Sequence, residues 1–341
     1  MALMTAASEE ALQASVAAYA ADVVGCTPDH ILAVSRFEAG NRHAVFAVRY
    51  RQASGAGHSV VVRVAYGAAP EDRAQAQREA AVLEVMGGVA APALYDFRRS
   101  SPWFESSAMC IQFLAGHPRD LTSTGATDIE RLGAALRSVH RRPTRDLREW
   151  LPSAGTVASY AEARLDSILA GVVWVRDPLP AGLQARLRAA AEALARGFEA
   201  SARTPAFTTR APLALLHGDP AADNILWCPD PVLIDWEYAR LGDPADELAY
   251  LFDQNGLTAL QREAFWAGYQ DSSTEVAQRV TCWEPVTLLG SALWWVERWV
   301  RRTDADAVGR ADAVAPREPT YYLDRILRRV DRLDRLMTQR T

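Results

Sequence analysis

The chain has 341 residues, 49% hydrophobic and 23% charged, with a formal net charge of -5. That size and mix describe a globular protein with room for two lobes and a substantial core. The acidic balance argues against a nucleic-acid partner, which would call for a basic face. Cys26, Cys110, Cys228 and Cys282 lie far apart and form no Cys-x-x-Cys pair, so neither a zinc site nor a disulfide framework is suggested.

No run reaches the roughly 18 apolar residues of a membrane span. The opening MALMTAASEE has no basic segment and meets Glu9 and Glu10 before any long apolar run, unlike a signal peptide. The expectation is a cytoplasmic protein without a membrane partner. All 37 basic residues are arginine, which excludes a Walker A loop because that motif needs lysine.

In chain order, Leu12, Val16, Tyr19 and Val23 recur at helical spacing and predict an amphipathic helix over Glu9 to Val24, packed on the lobe that follows. Strands are expected over Ile31 to Phe37 and Ala44 to Tyr50, around a tip that carries Gly40 and Asn41. Such a tip can lay backbone N–H groups over phosphates, or be a plain turn. A third strand, Ser59 to Tyr66, carries Arg63 inside an apolar run, where a buried cation demands a partner. Glu79, on the helix expected over Glu71 to Met86, is the candidate. The alternative is an arginine facing solvent from an edge strand.

Two more strands, Ala93 to Phe97 and Ser107 to Leu114, end in Phe113-Leu114-Ala115-Gly116-His117-Pro118, whose breakers suit an interlobe hinge. The lobe boundary falls near Gly116, giving residues 1–115 and 116–341. The second part reads as mostly helical, with helices over Asp128 to Arg141, Thr156 to Val173, Gly182 to Ala202, Ala245 to Phe252, Leu260 to Tyr269, Trp283 to Arg302 and Tyr322 to Met337. Trp294, Trp295 and Trp299 either pack that lobe or wall a pocket. Asp304, Asp306 and Asp312 either form a solvated loop or attract a cationic ligand.

The richest stretch is Leu215 to Leu248, LLHGDPAADNILWCPDPVLIDWEYARLGDPADEL. His217-Gly218-Asp219 is followed five residues later by Asn224, and the run Val232-Leu233-Ile234 ends in Asp235. Two short strands joined by Pro229-Asp230-Pro231 make a hairpin that brings Asn224 near Asp235. Phosphoryl transfer needs these groups: one carboxylate to orient and deprotonate a hydroxyl, an amide and a second carboxylate to hold metal ions on nucleotide phosphates.

The string HGDPAADNIL with IDWEYARLGDPADELA resembles the aminoglycoside phosphotransferase and choline-kinase-like family of small-molecule kinases. The resemblance implies a protein-kinase-like α+β fold of two lobes: a small antiparallel-sheet N-terminal lobe that binds nucleotide, and a larger, mostly helical C-terminal lobe with the catalytic loop and acceptor pocket. It implies a catalytic base at Asp219, Mg²⁺ ligands at Asn224 and Asp235, and ATP or GTP as phosphoryl donor. Phosphate contacts are implied at Gly40 and Asn41, with Phe46 as a downstream aromatic, and base contacts along Phe113 to Ala115. Arg63, oriented by Glu79, stands where such folds carry a lysine. His217, Asp243 and Asp246 read as braces, and Glu247 as an insertion in the family's Asp-Leu-Ala. The implied partner is a small molecule with a hydroxyl: an antibiotic, or alternatively choline, a sugar or an amino alcohol. A catalytically dead ligand-binding relative is the reading from another class.

Overall fold

The computed structural model describes residues 6–37, 43–52, 54–67, 69–151, 153, 155–174, 179–202, 205–208, 213–270, 274–301 and 318–338. Helix α1 (Ala6–Val24) leads through a 3-10 turn into β1 (Ile31–Arg36), β2 (His43–Arg51) and β3 (Gly57–Ala65). Helix α2 (Pro70–Met86) then crosses to β4 (Leu94–Arg98) and β5 (Ala108–Gln112). The five strands form one antiparallel sheet in the order β1-β2-β3-β5-β4.

Alternation along β2 decides which face each residue serves. Ala44, Phe46 and Val48 are buried with Val16 and Tyr19 of α1 in a core of their own. Phe46 therefore packs away from any nucleotide, whereas its neighbour Val45 lines the interlobe cleft. Helix α2 starts at Pro70 and ends on left-handed Gly87, with Val82, Leu83 and Met86 buried in the second, larger core.

The chain leaves the sheet after Gln112 and runs past His117, whose carbonyl accepts the Trp227 N–H at 3.2 Å. There follow α3 (Ala126–His140), α4 (Val157–Trp174), α5 (Ala181–Ala202) and α6 (Pro205–Thr208). Four short strands come next: β6 (Ala214–Leu216), β7 (Ile225–Cys228), β8 (Asp230–Leu233) and β9 (Arg240–Gly242). Strand β6 pairs with β9, and β7 with β8, both antiparallel. Helices α7 (Pro244–Gln254), α8 (Ala259–Tyr269), α9 (Thr274–Arg301) and α10 (Pro319–Thr338) complete the lobe. No helix among the described residues is long and apolar enough to cross a membrane.

Two local expectations change. Helix α9 begins at Thr274, not Trp283, because the helix continues through Pro285; buried Val280 and Trp283 hold the extra turns in the core against the hydrogen bond that proline removes. Strands β6 and β9, three residues each, are too short to show a period, and only their pairing reveals them. The acidic segment with Asp304, Asp306 and Asp312 lies outside the described residues.

Candidate active site

Strand β6 is fully apolar and delivers His217 into the core with no exposed surface. His217 Nε2 donates to the Ile234 carbonyl at 2.8 Å, and Nδ1 accepts the Asp219 N–H at 3.3 Å. One ring proton serves both contacts, so the imidazole braces the loop instead of working in the cleft. Gly218 sits at φ +92°, where a Cβ would lie 2.1 Å from the Tyr238 carbonyl oxygen. Only glycine tolerates that approach and that φ.

The Gly218 N–H donates to Glu247 Oε1 at 2.6 Å, and Glu247 Oε2 meets His140 Nε2 at 2.8 Å. Burial works to raise the Glu247 carboxyl, but its contacts with His140 and the Gly218 N–H hold it below its ordinary value. Glu247 directly precedes Leu248-Ala249 and belongs to the scaffold of the loop, since it holds the Gly218 backbone. Asp246 turns elsewhere, accepting from Tyr160 at 2.5 Å and from Arg240 at 3.2 Å. Asp243 caps α7 and accepts from Arg279 Nε at 2.9 Å and Trp283 Nε1 at 3.0 Å. Both are buried scaffold, as their place in the sequence suggests.

Asp219 is held at both oxygens. Asn224, in a 3-10 turn before β7, donates its amide to Asp219 Oδ2 at 3.0 Å, and Tyr250 of α7 donates its hydroxyl to Oδ1 at 2.5 Å. Burial, then the Asp219 charge, raises the Tyr250 phenol, so it remains a donor. Asn255 clamps the same loop, accepting the Ala222 N–H at 2.8 Å and donating to the Pro220 carbonyl at 3.1 Å. Tyr250 and Asn255 carry no signal in sequence: they are helix and helix-end residues, selected by what folds against them.

The β7–β8 register pairs Ile225 with Leu233, and the Ile234 N–H bonds the Asn224 carbonyl at 2.9 Å. The expected hairpin thus forms. Asp235 follows in a left-handed conformation, φ 65°, with its side chain 42% exposed. Its Oδ1 accepts from Arg63 Nη2 at 3.0 Å.

Arg63 occupies the middle of the sheet, opposite Val45 on β2 and Met109 on β5. Its other Nη binds Glu79 Oε1, which also accepts the Trp236 N–H at 3.2 Å. Burial works against the Arg63 charge, but Glu79 and Asp235 overcome it and push the guanidinium up. The solvent-facing reading of Arg63 is thereby excluded, since the residue is 8% exposed. The sequence-predicted pair forms, and the tie to Asp235, 172 residues away, is added to it.

A cleft of about 810 Å³ opens between the sheet and the hairpin. Arg63, Glu79, Phe113, Ala115, Asn224 and Asp235 all line it, with Asp219 immediately behind Asn224. Gly40 and Asn41 lie outside the described residues. Asp223, Glu237 and Arg298 line the cleft without having been singled out in the sequence.

Residues 33–279 match the phosphotransferase enzyme family, APH. The chain belongs to that family. The chain is 31% identical over 102 residues to the thiamine kinase of Salmonella typhimurium. The match takes in 29% of the chain and only 37% of the length of that curated relative. Among solved structures, it resembles a protein of Ralstonia eutropha JMP134 assigned provisionally as an aminoglycoside phosphotransferase. The TM-score is 0.64 at 14% identity, covering 95% of this chain and 98% of that one. It also resembles a choline/ethanolamine kinase family protein of Mesorhizobium loti, with TM-score 0.57 and 21% identity over 94% of each chain. At such identities the likeness establishes the fold: the chain has the protein-kinase-like architecture of a small antiparallel-sheet lobe and a larger helical one.

Proposed function

We propose that the chain moves the γ-phosphoryl of ATP or GTP to a hydroxyl of a small molecule, an antibiotic in the reading favoured here. The observation that carries it is the meeting of Asn224, Asp235 and Arg63 at one cleft, with Asp219 hydrogen-bonded to Asn224 immediately behind. Residues 1–115 would hold the nucleotide, with its base along Phe113 to Ala115, its phosphates at Arg63 and the loop with Gly40 and Asn41. Residues 116–341 would supply the catalytic loop and the acceptor pocket. A cytoplasmic location, where nucleoside triphosphates are made, would suit this reaction.

Asp219, oriented by Tyr250 and Asn224, takes the proton of the acceptor hydroxyl as its oxygen attacks the γ-phosphorus. The bond from that phosphorus to the β–γ bridging oxygen breaks, and the nucleoside diphosphate leaves with the electron pair. Glu79 and Asp235 hold the Arg63 guanidinium at the cleft.

Asn224 and Asp235 fit Mg²⁺. Both present hard oxygen donors to the cleft: the Asn224 NH₂ is committed to Asp219, which leaves its amide oxygen, and Arg63 occupies only Oδ1 of Asp235. When bound, the metal would neutralise phosphate charge.

A metabolic kinase of choline, a sugar or an amino alcohol is the second reading, favoured by the local identity to thiamine kinase. A screen of antibiotics and small alcohols with ATP and GTP, read as mass gain of one phosphoryl group, tests both readings. Turnover that persists in Asp219→Asn overturns the mechanism.

A further inference from the structure

We infer that the acceptor carries an anionic group, a carboxylate or phosphate, and that Arg298 on α9 binds it; the inference rests on the phosphotransfer reading above. Among the described residues, two arginines line the cleft, Arg63 and Arg298. Arg63 is engaged by Glu79 and Asp235. Arg298 has no carboxylate within ion-pair reach among the described residues. Its guanidinium lies 3.8 Å from the centroid of the Trp294 ring, and its Nε is buried without a hydrogen-bond partner.

A guanidinium stacked on an indole uses its flat face and leaves its in-plane N–H fork unspent. That fork matches the two oxygens of a carboxylate or phosphate. An oxyanion at this place would satisfy the buried N–H and neutralise a cleft arginine that has no carboxylate partner among the described residues.

Arg298 is too far along the chain's architecture to be a duplicate of the phosphate grip. It enters from α9, in the helical lobe, whereas Arg63 enters from the sheet. The wall behind it has the same chemistry: Trp294 and Trp295 stand edge to face at 4.8 Å, Arg325 lies over Trp295 at 4.8 Å, and Arg329 over Trp295 at 5.7 Å. The cleft lining also carries the carboxylates of Glu79, Asp223, Asp235 and Glu237, so the preference for an anion belongs to the Arg298 fork and not to the cleft as a whole. The acceptor class is a hydroxy acid, or an antibiotic bearing a carboxylate or phosphate.

The test uses hydroxycarboxylic acids, their primary amides and the matching amino alcohols, each offered with ATP and GTP to the full chain. The parent is expected to phosphorylate acids in preference to their amides. Arg298→Gln should raise KM for the acid by roughly 10- to 100-fold, the loss of a hydrogen bond to a charged group, and abolish the acid-over-amide preference. Arg298→Lys should recover part of it, and ADP affinity by calorimetry should stay that of the parent in both variants. Preference for amides or amino alcohols in the parent overturns the proposal. So does a fall in ADP affinity with the acid-over-amide ratio intact, which would assign Arg298 to the nucleotide. If no compound is phosphorylated, the phosphotransfer reading fails by itself. Calorimetry of the acids on the ADP-loaded protein then decides the anion site, present if binding is lost in Arg298→Gln and refuted if the parent binds none.

Discussion

Tyr250 donates its hydroxyl to Asp219 Oδ1 at 2.5 Å, from the same helix whose first turn holds Gly218 through Glu247. The Asp219 carboxylate and the Gly218 backbone are thus fixed by one element. Tyr250→Phe should lower kcat about tenfold or more, the order of a charge-assisted hydrogen bond, with nucleotide affinity retained. Asp219→Asn should remove turnover altogether. Full kcat in Tyr250→Phe, from steady-state kinetics, would discard the orienting role.

Asp235→Ala is expected to lose Mg²⁺-dependent ADP binding, as followed by calorimetry with and without the metal. Unchanged binding would rule out the ligand role.

Removing Arg63 has a second effect. Glu79 is buried, its Oε2 already lacks a partner, and burial holds its carboxyl above the ordinary value even with the arginine beside it. Arg63→Ala should therefore destabilise the fold by about 3–5 kcal/mol, the range for breaking a buried pair, as well as weaken nucleotide binding. Denaturant unfolding measures the first and calorimetry the second. Parental behaviour in both would end the clamp proposal.

Asp246 gives a pH signature. Burial works to raise it, and Arg164, Arg240 and Tyr160 bring it below the usual carboxylate range. A depressed folded value adds stability that is complete above the unfolded value of about 3.9 and is lost as pH falls through the folded one. Asp246→Asn should then cost about 3–5 kcal/mol near neutrality, and the gap to the parent should close below roughly pH 3.9. Urea titrations at pH 7 and pH 3 compare the two; an equal gap at both would refute the assignment.

Gly218→Ala would set a methyl against the Tyr238 carbonyl, at a φ that ordinary residues avoid. The strain is of order 1–3 kcal/mol. Relief by moving the loop would shift Asp219, and a displacement near 1 Å costs about 100-fold in rate. Activity close to the parent's would show that the loop has slack.

Much of this site was legible because its geometry is local. Asp219 to Asn224 is one turn, and Asn224 to Asp235 one hairpin whose register follows from Ile225, Leu233 and the short Pro229 to Pro231 link. The sheet was legible because apolar alternation survives on strands of five to nine residues. Tyr250, Asn255 and Arg298 were not, since a helix residue announces its neighbours along the helix and not those folded over it. The role of Glu247 is hidden for a related reason: only its bond to Gly218 shows which of the two adjacent acids, Asp246 or Glu247, faces the loop.

Arg63 has a practical consequence. Reagents that tag kinases through an amine in the nucleotide cleft, such as acyl phosphates of ATP, rely on a nucleophilic nitrogen there. A guanidinium stays protonated at any workable pH, and no lysine exists anywhere in the 341 residues. An activity-based survey built on amine acylation would pass over this chain even while its cleft was filled, so its detection calls for chemistry directed at a carboxylate or a thiol instead.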